Sequence, residues 1–97
     1  MNSHVRLAIE KFDQELETHR LFAIGNKELL KKYPWFDQQI IFWMESTRFL
    51  VAELEIWNER GDETKCAEVI SRAQKALDRL YRLIEQVKKQ DDAARSE

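Results

Sequence analysis

The chain has 97 residues, of which 43% are hydrophobic and 35% charged, with 16 basic against 18 acidic residues and a formal net charge of -2 at pH 7. That length makes one small domain and excludes an enzyme with separate cofactor and substrate halves, while the composition suits a folded core and neither disorder nor a membrane span. The near balance of charge argues against a protein whose affinity comes chiefly from neutralising phosphates.

Only 2 glycines and 1 proline punctuate the chain, and a β fold of this size needs many more turn residues between short strands, so the expected class is all-α. The first predicted helix spans about 3–24. Ser3 stands as its N-cap, Val5, Ala8, Ile9, Phe12, Leu16, His19 and Ala23 follow at helical spacing, and Gly25 is the natural residue to end it. The connector, 25–33, carries Leu29 and Leu30 among lysines with room for one helical turn. It must end before Pro34, because the residue preceding a proline is pushed out of the helical region.

Pro34 pre-sets the start of the second helix, predicted over 34–60, and Gly61-Asp62 supplies both its end and the cap of the next. A third helix is predicted over 63–89 with Cys66, Val69, Ile70, Ala73, Ala76, Leu77, Leu80, Leu83, Ile84 and Val87 on one stripe, followed by a polar tail, 90–97, expected to fray. Two long helices joined by a tight turn form an antiparallel hairpin. With the N-terminal helix added, the expected architecture is a three-helix bundle that dimerises.

The second helix is unusual in having two apolar arcs. Its main seam holds Phe36, Ile40, Trp43, Met44, Leu50, Val51, Leu54 and Trp57, and a second stripe runs at seven-residue spacing through Trp35, Phe42, Phe49 and Ile56. One arc can face the third helix, and the other needs the first helix, a second copy of the chain or a foreign partner. A core this small is marginal alone, and a single stripe suits a two-fold axis, so a homodimer is expected. Trp35, Phe42, Phe49 and Ile56 are therefore the expected association stripe, with Glu45, Arg48, Glu53 and Glu55 as its polar rim.

Arg72, Lys75, Arg79, Arg82 and Lys89 line one face of the third helix and are the best candidate for an anion-binding surface. Glu68, Asp78 and Glu85 each precede a member of that row, Arg72, Arg82 and Lys89 respectively, by four residues, so a self-paired, solvated face is the competing expectation. No aromatic residue interleaves with the row to stack on bases.

Catalysis has less support. His4 sits near the start of the chain, His19 lies on the seam of the first helix, and Glu15 precedes His19 by four residues rather than the three of a di-metal carboxylate pair. Neither glycine belongs to a phosphate-binding loop. Cys66 is alone, which leaves no disulfide within the chain and no cysteine-based zinc cage, and its place on the apolar stripe makes it a buried structural thiol. No cofactor and no metal is called for, and no residue is assigned a catalytic role.

The expected function is protein–protein interaction, as an adaptor, co-chaperone or stoichiometric inhibitor in the cytoplasm, since the surplus in this sequence is apolar helical surface. A dimeric nucleic-acid-binding regulator using the basic face of the third helix is the alternative. A small anion-binding enzyme, which would need Arg48 to converge with other cations in a pocket, is the second.

Overall fold

A computed structural model describes residues 3–96, which form α1 (Ser3–Gly25), α2 (Lys27–Lys32), α3 (Pro34–Glu59) and α4 (Glu63–Arg95), with no strand among the described residues. The chain is all-α. No described helix is long and apolar enough to cross a membrane.

α1 does not end on a left-handed glycine, because Gly61 is the only described residue with positive φ. Gly25 stays helical, and the side-chain amide of Asn26 donates to the Phe22 carbonyl at 2.8 Å, which satisfies one of the carbonyls left open at the helix end. The connector folds into α2, a six-residue helix that buries Leu30. Tyr33, ahead of Pro34, leaves the helical region (φ -128°, ψ 71°), and its carbonyl accepts from the Asp37 N–H at 3.1 Å as α3 begins.

α3 ends in a Schellman motif. Gly61 takes φ 72°, its N–H donates to the Asn58 carbonyl, and the Asp62 N–H donates to the Trp57 carbonyl, both at 3.1 Å. The Asp62 carboxylate then accepts from the Lys65 N–H at 3.0 Å and caps α4. Three residues, Arg60, Gly61 and Asp62, thus reverse the chain, and α3 and α4 run antiparallel: Arg72 meets Glu53 near the turn, while Tyr33 meets Asp91 at the far end.

α1 lies against both partners and runs parallel to α4. Tyr81 reaches Glu15 and Lys88 lies over the Phe22 ring, so the two helices keep one register along their length. The core between the three long helices holds Phe12 and Leu16 from α1, Ile40 and Leu54 from α3, and Leu77, Leu80 and Leu83 from α4. Thr47, wholly buried, satisfies its hydroxyl on the Trp43 carbonyl of its own helix at 2.8 Å.

The polar tail expected to fray from residue 90 is helical through Arg95. The reason is Asp91, which is buried and gathers three donors: the Tyr33 hydroxyl at 3.4 Å, Lys32 at 3.7 Å and Arg95 at 3.0 Å. α4 therefore overhangs the start of α3 and is tied to α2 and the corner before Pro34. The result is a rod measuring 55 × 19 × 18 Å.

Candidate functional site

The second stripe of α3 is left uncovered. Trp35, Phe42, Phe49 and Ile56 are all between 49% and 78% exposed, because α1 approaches α3 from the other side. Glu17 of α1 lies within electrostatic reach of Arg48, and Arg6, Ile9 and Glu10 share a surface pocket with Glu55 and Asn58. At 100° per residue, Arg48 and Glu55 fall on the opposite side of α3 from Ser46 and Glu53.

A hairpin of two helices has a groove on each flank, and α1 fills one of them. The other, an open channel of about 810 Å³, is lined by no α1 residue. Its floor is apolar, formed by Trp43, Phe49 and Leu50 of α3 with Ala76 of α4. Its α4 wall carries Arg72, Lys75, Arg79 and Arg82, with one acid, Asp78, among them. Two features that look separate in the sequence, the aromatic stripe and the basic row, touch here through one stripe residue, Phe49, because the hairpin register sets residues 72–82 beside residues 43–53.

The self-pairing expected along the basic row does not form. Glu68 pairs with Lys65 at 3.7 Å, Glu85 with Lys88 at 3.8 Å, and Asp78 accepts from the side-chain amide of Gln74 at 3.2 Å. Arg72 reaches across the hairpin to Glu53 at 3.5 Å instead of along its own helix to Glu68. Exposed i,i+4 pairs are worth only a few tenths of a kcal/mol, about 0.3–0.5, so other neighbours easily displace them. Lys75, Arg79 and Arg82 are left with no ion pair among the described residues.

The expected rim divides. Glu53 edges the basic groove, and Glu45 and Arg48 flank Phe49 with Ala52 in a shallow depression on its other side. Glu55 lines a surface pocket on the α1 flank. Lys89 is exposed on α4 but lies outside the groove lining, and Arg48 does not converge with the four cations of the channel.

His19 and Cys66, the two groups that could carry chemistry, are both buried. His19 is buried edge-on against the Tyr81 ring, with ring centroids 4.6 Å apart, and its Nε2 has no hydrogen-bond partner. Burial holds the imidazole below its ordinary pKa, with Glu15 opposing. Burial likewise pushes the Cys66 thiol up, and Asp62 and Glu63 add to the shift, so the thiolate that reactivity requires is disfavoured. Among the described residues no group of three or more His, Cys, Asp or Glu side chains is placed to hold a metal.

Sequence reasoning missed the anchor at Asp91. An acid 58 residues from its tyrosine partner carries no local signal. No family model matches the chain, and neither does any curated protein or solved structure.

Proposed function

We propose that the chain is a protein–protein interaction module, an adaptor, co-chaperone or stoichiometric inhibitor rather than a catalyst, which works through the outward face of α3. The observation that carries this reading is the uncovered line of Trp35, Phe42, Phe49 and Ile56. At roughly 150–250 Å² for a large aromatic side chain and the exposures given above, the four offer on the order of 500 Å² of apolar surface. A patch of that size on a small protein is commonly a contact site. A cytoplasmic setting belongs to the same reading, supported by a lone buried cysteine with no second one to bridge.

The same area bears on self-association. A stable interface takes about 800 Å² from each partner, so the stripe by itself supports a weak homodimer that forms only as concentration rises. Light scattering across a hundredfold concentration range tests this. The wild type is expected to climb from 11.7 kDa toward twice that mass, and the Phe42→Glu/Phe49→Glu variant is expected to stay monomeric with its helicity intact. Identical masses for the two proteins at every concentration, or helices that melt in the variant, would overturn the reading.

A further inference from the structure

We infer that the open groove between α3 and α4 seats an acidic amphipathic helix of another protein, an assignment that rests on reading the chain as a protein-binding module and names the chemistry of its partner. Three features of the groove lead there. The first is shape. The channel is open to solvent, whereas small-molecule sites enclose most of their ligand. It is also the counterpart of the groove on the opposite flank of the hairpin, which α1 fills with Val5, Phe12 and Leu16. A helix laid in the second groove would repeat what α1 does in the first.

The second feature is the apolar floor. Trp43 and Leu50 already pack against the core on one edge, and Phe49 stands up beside them, almost bare. A partner helix with apolar residues at i, i+3 or i+4, and i+7 would cover all three, the arrangement by which amphipathic helices dock in grooves. Such a helix would add the groove's area to that of the stripe and bring the contact toward the size the stripe alone does not reach.

The third feature, charge, selects the partner. Lys75, Arg79 and Arg82 recur at i, i+4 and i+7 on α4, one line spanning roughly 10 Å at 1.5 Å per residue; none of the three forms an ion pair among the described residues, and the groove's four cations outnumber its two acids, Glu53 and Asp78. Acidic side chains at matching intervals on the incoming helix would pair with them. A second copy of this chain offers less. An antiparallel two-fold pairing sets the basic row against itself, and a parallel pairing brings it toward a flank where Glu45 is accompanied by Arg48. Single-stranded nucleic acid would satisfy the cations, but the floor offers its bases only one partly buried indole and one phenyl ring.

The test is fluorescence anisotropy with a labelled 16-residue peptide, its leucines at helical i, i+3/i+4 and i+7 spacing and its flanks glutamate. Two companion peptides carry glutamine or lysine in place of glutamate. The wild type is expected to bind the acidic peptide about tenfold or more tightly than the glutamine peptide. Arg79→Glu/Arg82→Glu is expected to lose that preference and bind the lysine peptide instead, and Phe49→Ala is expected to weaken the acidic peptide severalfold. Circular dichroism checks that each variant stays helical, and Arg79→Gln/Arg82→Gln serves if the reversed variant does not fold.

Equal binding of the three peptides, or no binding, would overturn the groove assignment, and so would an acidic peptide indifferent to Phe49→Ala. A 16-nucleotide oligothymidylate that displaces the peptide at lower concentration than unlabelled peptide does would hand the groove to nucleic acid. If the groove assignment fails while Phe42→Glu/Phe49→Glu still abolishes concentration-dependent association, the interaction module stands and only its partner is wrong.

Discussion

Replacing two phenylalanines in a small protein ordinarily destroys it, and here it is expected to cost less than trimming one leucine. Phe42 is 56% exposed and Phe49 78% exposed, so folding covers a little under half of one ring and about a fifth of the other. With roughly 1.5–3 kcal/mol for burying such a side chain completely, Phe42 contributes about 1 kcal/mol to the monomer and Phe49 about 0.5. Glutamine is the better helix former by a few tenths of a kcal/mol, on the order of 0.2 per site, so Phe42→Gln/Phe49→Gln should lower stability by only about 1 kcal/mol.

Leu80 is wholly buried between the helices, and Leu80→Ala should cost about 2–5 kcal/mol through lost burial and the cavity left behind. The assay is urea unfolding followed by far-UV circular dichroism at micromolar protein, where association does not add to stability. If the double variant loses as much as Leu80→Ala, or gives a broad, non-cooperative transition, the stripe belongs to the core and the outward-face argument fails.

The buried histidine makes stability depend on pH. Because the folded chain holds His19 below its ordinary value of 6.5, the unfolded chain takes up the proton first; stability is full above about 6.5 and declines as pH falls from there to the folded pKa. His19→Phe should flatten that decline in melting temperature between pH 7.5 and 5.5, and an unchanged slope would mean that another group is responsible. Asp91→Ala should release residues 90–95 from helix, read as a loss of amide protection confined to the end of α4, with a global cost of about 1–2 kcal/mol. Cys66 should react with a disulfide reagent only as fast as the chain unfolds, and a native-state rate near that of a free thiol would contradict its burial.

The fold class was legible because two kinds of information lie in local sequence. The scarcity of glycine and proline excluded strands, and Gly61-Asp62 carries both halves of a helix reversal in adjacent residues. The stripe through Trp35, Phe42, Phe49 and Ile56 was also visible, since periodicity along one helix needs no partner to define it. What covers a stripe depends instead on which flank of the hairpin α1 chooses, and Phe12 and Leu16 would suit either groove in the absence of a register.

The pairing of charges failed for a related reason. Helical spacing gives Arg72 a neighbour at Glu68, but Glu53 on α3 is 19 residues away in sequence and nearer in space. Asp91 is the extreme case, read as part of a fraying tail until Tyr33 and Lys32 are placed beside it. The candidate groove belongs to the same class of feature. Each wall is a pattern in one helix, and the site exists only when the two are set side by side.

The three-residue reversal between α3 and α4 also bears on the order in which the molecule can assemble. Closing so short a loop costs little chain entropy, and the hairpin's contacts are local, so it is the unit able to form first and fast. α1 is made before either helix, yet its apolar face of Val5, Phe12 and Leu16 has no complete seat until the residues around Tyr81 and Lys88 have been synthesised. During translation that face must wait exposed, and in refolding its docking is expected as a later phase than the closing of the hairpin. Both grooves are then open at once, and the early hairpin presents the basic channel before α1 has taken its place.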